Sequence, residues 1–138
     1  MSDTFNAPAV TALGRVLLAA IFIWSGLGKL MAPAMAIGYI AHVGLPLPPA
    51  AYVVSVVVEL LGGIALVVGF QTRFVAAVLG VFCLVTAFAV HGFADRMNEI
   101  NAMKNIAMAG GFLFVIAHGA GAWSIDAMRR PHGLAHAA

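Results

Sequence analysis

Apolar and polar positions divide the chain into four long apolar stretches, separated by short segments that carry most of its charges. The most informative stretch runs from Pro48 to Gly69. At about 1.5 Å of rise per residue it is long enough to cross a bilayer as a helix. It carries one charge, Glu59, near its middle. At helical spacing Tyr52, Ser55, Glu59 and Gly62 share one face, while Val53, Val57, Leu61 and Ile64 lie on another. The pattern predicts that the first face points into protein and the second into lipid. A carboxylate at that depth costs at least about 2.5 kcal/mol, so Glu59 needs a partner, a polar cavity or a proton.

The other stretches follow the same logic. A polar tail, Met1 to Pro8, precedes span one, at about 9–31. Arg15 and Lys29 bracket its apolar centre about four turns apart, on one face with Leu18, Phe22 and Ser25 or Gly26. Both cations are close enough to the helix ends to snorkel, so anchoring and functional roles are both open. Met35 to Gly44 predicts a short helix lying at the interface, ended by Gly44-Leu45-Pro46. Span two covers 49–69. The turn Phe70-Gln71-Thr72-Arg73 makes spans two and three antiparallel neighbours. Span three covers 74–91, with Gly80, Leu84, Ala87 and His91 on one face whose small residues allow a partner helix close. Phe93 to Ala102 predicts a polar connector, and span four covers 103–120, with Lys104, Met108, Gly111, Val115 and His118 along one side and Asn101 and Asn105 beside Lys104. Trp123 marks an interface. The expected architecture is all-α: one domain over 1–138, an integral membrane four-helix up-down bundle with a short interfacial helix between spans one and two.

Composition agrees and excludes other classes. Of the 138 residues 63% are hydrophobic and only 9% charged, far from the balance of a soluble domain. A net charge of +2 with scattered basic residues gives no footprint for nucleic acid. The single cysteine, Cys83, falls mid-span, which excludes dithiol–disulfide chemistry within one chain and fits a packing role. The first span loosely imitates a secretion signal with Ala32-Pro33-Ala34 as its cleavage site, but Lys29 interrupts the approach, and the stretch reads as a span. Four spans put both termini on one side, with Arg15, Arg73, Arg129 and Arg130; Lys29, Arg96 and Lys104 lie on the other, with Asp95 and Glu99. The count favours termini in the cytoplasm.

Topology brings Lys29, His91, Lys104 and Asn105 to the membrane side toward which Glu59 rises from mid-span. Buried charges need opposite partners, so Glu59 is expected to pair with Lys29 or Lys104. His91, Asn105, Tyr52 and Ser55 would complete a polar pocket opening to the non-cytoplasmic side.

At these residues the sequence resembles a known family. Leu13-Gly14-Arg15, the run from Phe22 through Trp24-Ser25-Gly26 to Lys29, Glu59-Leu60-Leu61-Gly62-Gly63, Gly69-Phe70-Gln71-Thr72-Arg73, His91, Lys104-Asn105 and Gly121-Ala122-Trp123-Ser124-Ile125-Asp126 look like the DoxX family of small four-span bacterial membrane proteins. The resemblance covers nearly the whole chain. It implies the bacterial inner membrane and a quinone-linked redox or accessory role, because the family name comes from a subunit of a membrane thiosulfate:quinone oxidoreductase and other members work with partner enzymes in redox stress. A quinone headgroup needs hydrogen-bond donors and a proton source. On that reading Glu59, Lys104 and His91 are the candidate catalytic groups, and Lys29, Tyr52, Ser55 and Asn105 the candidate cofactor-binding groups. No redox-cofactor motif occurs, so electrons would come from a donor or partner protein. Two alternatives stay open: a scaffold that assembles a partner or a homo-oligomer at the membrane, and a small-solute or proton pathway. No metal or haem is expected: His91 and His118 fall at opposite ends of their spans, which leaves only His42 with His91 for an iron.

Overall fold

The computed structural model describes residues 7–130. Helix α1 (Ala7–Met31) begins at once, so the expected tail before Ala7 lies outside the described residues. Helix α2 (Pro33–His42) opens on a proline, which lacks a donor where none is needed. It sits slightly earlier than the expected Met35 to Gly44 and packs on α3 through the buried Ile40. Helix α3 (Pro48–Val68) also opens on prolines and stops at Gly69, whose φ of 71° is a left-handed C-cap. Helix α4 (Thr72–Thr86) continues into one π-helical turn, Ala87–His91, closed by the Gly92 N–H on the Ala87 carbonyl. Helices α5 (Arg96–His118) and α6 (Ile125–Met128) complete the described residues.

Ala7–Met31, Pro48–Val68, Thr72–His91 and Arg96–His118 are each long and apolar enough to cross a membrane, and they alternate in direction. The expected all-α up-down bundle is therefore present. The last span differs from expectation: α5 starts at Arg96, inside the stretch read as a connector. The polar residues there start the helix. The Asp95 carboxylate accepts the Met97 and Asn98 N–H groups at 3.0 Å each, and Glu99 in the first turn suits the helix dipole. At the other end Gly119, with φ 79°, stops the helix before the expected Ala120.

The bundle core consists of Ala19, Phe22, Leu66, Ala76, Leu79, Cys83, Ala109 and Phe112. Cys83 is fully buried in it, in keeping with a packing role. Val53, Val57, Leu61 and Ile64 face outward as their spacing predicts, while Glu59 is 4% exposed. Helix α1 packs chiefly on α3, α3 on α4 and α4 on α5; α1 and α5 meet at a few points, among them the Phe22 and Phe112 rings, 5.7 Å apart. The α1–α3 approach is close because of two glycines. A Cβ on Gly63 would stand 2.7 Å from Ile23 Cγ1, and one on Gly26 would stand 2.7 Å from Leu60 Cγ. Small residues at a helix crossing are the membrane solution to tight packing.

Candidate functional site

The close α1–α3 contact sets the first polar cluster. Gly26 lies against Glu59 and Leu60, so Lys29, one turn further along α1, comes level with the Glu59 carboxylate. Lys29 Nζ donates to Glu59 Oε2 at 2.6 Å and to Oε1 at 2.7 Å. It donates as well to Ser25 Oγ at 3.0 Å, and the Ser25 hydroxyl in turn donates to Glu59 Oε1 at 3.0 Å. Tyr52 OH donates to the Lys29 carbonyl at 3.2 Å, pinning the end of α1 to α3. The Glu59 side chain is 6% exposed and that of Lys29 25%. The carboxylate is therefore sealed, while the ammonium keeps one side open. Burial of such a pair is tolerated because the ions neutralise each other and the remaining polar valences are filled.

Of the expected site residues, Lys29, Tyr52 and Glu59 come together. Ser55 does not: its hydroxyl donates to the Tyr52 carbonyl within its own helix, at 2.8 Å. Ser25, one turn before Lys29, takes the serine's place in the cluster. Among the described residues no hydrogen bond or ion pair joins His91, Lys104 or Asn105 to Glu59. Lys104, the alternative partner, is exposed on the outer face of α5, in an open groove of about 490 Å³ beside Arg96 and Glu99. Asn105 accepts from Thr86 Oγ1 at 3.2 Å and donates to the Asn101 carbonyl at 3.0 Å, tying α5 to α4. His91 ends the π-helical turn, with a buried Nδ1 that has no partner among the described residues. The split has a packing cause: these three belong to the α4–α5 pair, and the Lys29–Glu59 cluster belongs to α1 and α3. His42 is exposed at the end of α2, and no group of three or more metal-ligating side chains assembles among the described residues.

A second cluster, at the terminal end of the bundle, forms around Arg15, for which anchoring and functional roles were both open. Arg15 is 2% exposed. Its Nη1 donates to the Leu66 carbonyl at 2.9 Å and the Val67 carbonyl at 3.0 Å, and its Nη2 to the Trp123 carbonyl. Helix α3 has no basic residue in its last turn, so its free carbonyls need donors from elsewhere, and Arg15 on α1 supplies them. That deficit was the available sequence signal. The C-terminal segment completes the clamp. The Asp126 carboxylate accepts the Gln71 and Thr72 N–H groups at 2.8 Å each, and the Asp126 N–H returns to the Gly69 carbonyl at 2.9 Å. Burial alone would raise the Asp126 carboxyl, but the hydrogen bonds from Thr72 and Gln71, with Arg129 nearby, hold it below the ordinary carboxylate value. A Cβ at Gly69 would collide with both Ser124 and Arg15. The turn that joins α3 to α4 thus closes only over glycine.

Comparison with known proteins matches a family model described as DoxX to residues 10–92. The chain is 37% identical over 118 residues to "Inner membrane protein YqjF" of Escherichia coli (strain K12), spanning 83% of this chain and 87% of that protein. It is 34% identical over 125 residues to "Inner membrane protein YphA" of the same organism, spanning 86% and 89%. No solved structure matches it.

Proposed function

The chain belongs to the DoxX family, and from that premise we propose that it serves in the inner membrane as an accessory subunit of quinone-linked redox chemistry, with Lys29, Ser25 and Glu59 as its proton-holding site. The observation that carries the reading is the asymmetry of the ion pair. Glu59 is sealed inside the bundle, and Lys29 is a quarter open near the end of α1, where Leu27, Leu30 and Met31 are exposed at other positions round the helix. A cationic donor near the end of an apolar spanning helix fits a headgroup that is itself apolar with two carbonyl oxygens.

The donor chemistry fits on one condition. All three Lys29 N–H groups are engaged, so Lys29 must release Ser25 to donate to a ligand carbonyl while keeping Glu59. Ser25 keeps its own bond to Glu59 when that happens. A quinone supplies reversible acceptance of electrons and protons. On this reading Lys29 orients the headgroup, Tyr52 holds the end of α1 in place through the Lys29 carbonyl, and Glu59 holds or returns a proton through Lys29. Electrons come from a partner protein. The termini face the cytoplasm, as the side holding Arg73, Arg129 and Arg130 argues, which puts the Lys29 end on the opposite side.

The test is quinone retained by protein purified from native membranes. The parent should carry it, and folded Glu59→Gln and Lys29→Met proteins should lose it; a parent free of quinone and unable to take up an added quinone refutes the reading. A scaffold role is the second reading, favoured by the closed valences of the cluster: Lys29, Ser25 and Glu59 satisfy one another without any ligand. It predicts a stoichiometric partner in mild detergent that remains bound to Glu59→Gln.

A further inference from the structure

A groove of about 230 Å³ lies at the terminal end of the bundle, away from Lys29 and Glu59. Buried Thr72 and Gly119 contribute to it from the ends of α4 and α5, and Arg73, Phe74 and Arg130 line it from exposed positions. We propose that this groove binds the phosphate of an anionic phospholipid headgroup between Arg73 and Arg130.

Three observations converge. The first is charge. The one acid in the groove, Asp126, already has both carboxylate oxygens accepting backbone N–H groups from Gln71 and Thr72. Among the described residues it makes no ion pair with either arginine. Arg73 makes only one long contact, 3.5 Å from its Nη2 to the Ala117 carbonyl, and no hydrogen bond or ion pair engages Arg130 among the described residues. Two guanidinium forks thus line one concavity with no ion pair among the described residues, and such forks match phosphate oxygens in geometry as well as charge.

The second is the hydroxyl of Thr72. The residue is 1% exposed, lines the groove, and sets its hydroxyl beside the Asp126 carboxylate, whose charge it helps to hold. The third is depth. The groove sits where α4 begins and α5 ends, the level at which a spanning helix meets the headgroups. Phe70, Phe74 and Trp123 are exposed around that end of the bundle, with Arg129 over the Phe70 ring at 5.4 Å, the arrangement of an interfacial aromatic belt. Phe74, 69% exposed, offers apolar surface beside the arginines for the start of an acyl chain. Basic pockets between spans at this level suit anionic headgroups.

The experiment is native mass spectrometry of the full chain in detergent, titrated with phosphatidylglycerol, with phosphatidylcholine, and with phosphatidylglycerol in the presence of inorganic phosphate. Phosphatidylglycerol should bind at least about fivefold more tightly than phosphatidylcholine, and the preference should shrink as salt rises. Arg73→Gln with Arg130→Gln should lower that affinity by about twenty-fivefold, about fivefold for each arginine. Arg73→Lys with Arg130→Lys, and Glu59→Gln at the other end of the bundle, should keep the preference. Equal binding of the two lipids to the parent overturns the proposal, as does full affinity in a folded Gln/Gln variant. Displacement of the lipid by equimolar inorganic phosphate would make the groove a free-anion site and overturn the lipid assignment. The parent's lipid preference and salt dependence decide the matter even if the Gln/Gln variant does not fold.

Discussion

Replacing Glu59 by glutamine removes the negative half of the α1–α3 pair and keeps its shape. The parent geometry sets the magnitude. Lys29 Nζ lies 2.6 and 2.7 Å from the two oxygens, and Ser25 adds a third bond at 3.0 Å. Breaking one side of a fully buried pair costs about 3–5 kcal/mol. Lys29 is 25% exposed and close to the end of α1, so part of its stranded charge can be recovered by turning toward water. That places Glu59→Gln at about 3 kcal/mol, the lower end of that range. Lys29→Met strands the more deeply buried ion and should cost at least as much. The double variant should lose less than the two single losses added together, because neither ion is then left alone. Unfolding followed by circular dichroism in detergent, for all four proteins, reads the coupling directly. If Glu59→Gln unfolds with the parent, or if the two losses simply add, the pair contributes nothing to the α1–α3 contact and the reasoning fails.

The remaining expectations concern the rest of the frame. Gly63→Ala should cost about 1–3 kcal/mol by pushing α1 from α3, and should weaken the Lys29–Glu59 coupling in the same cycle; an unchanged coupling would show that the crossing does not set the pair. Arg15→Met should destabilise by about 3 kcal/mol, because it leaves the Val67 and Trp123 carbonyls without their side-chain donor and the Leu66 carbonyl with only the Gly69 N–H, while Arg15→Lys keeps part of that loss at bay; equal stability of all three proteins refutes the clamp. Asp126 has its carboxyl held below the ordinary value of about 3.9, so its contribution should be complete above that pH and be lost as pH falls through the lower folded value; the difference in thermal stability between the parent and Asp126→Asn should narrow between about pH 5 and pH 2, and a constant difference would contradict the assignment. A reporter fused after Ala138 should be active only if it is one that works in the cytoplasm.

Much of the bundle was legible because lipid enforces a simple rule: outward faces must be apolar. Val53, Val57, Leu61 and Ile64 obey it, and their spacing fixed the rotation of α3 and so the inward direction of Glu59. What the pattern could not carry was the pairing of helices. Side of the membrane was enough to bring Lys29, Lys104, His91 and Asn105 to the same end, but the choice among them depended on α1 packing on α3 while α5 packs on α4. Ser55 shares the face of Glu59 and still turns back to its own backbone, since a serine in a helix always has a local carbonyl within reach. The start of α5 was hidden for a related reason. Asp95 and Glu99 make a stretch look like a connector when they are the cap and first turn of a helix.

The two cations of α1 show why a single pattern can conceal two tasks. Arg15 and Lys29 lie on one face about four turns apart, and each could reach water by snorkelling. Neither relies on it. Arg15 turns its fork to backbone carbonyls that α3 cannot satisfy itself, and Lys29 turns to a carboxylate that α3 presents mid-span. Both depend on α1 lying close to α3, which Gly26 and Gly63 permit between them. The glycines are thus upstream of the chemistry. Arg15 fixes α1 to the turn at Gly69, and Lys29 fixes it to the middle of α3. Helix α1 touches α5 little, so these polar ties and the glycine crossing between them hold it in the bundle. The Lys29–Ser25 bond lies within α1, so its loss alone leaves both ties to α3 in place: Lys29 and Ser25 each still donate to Glu59.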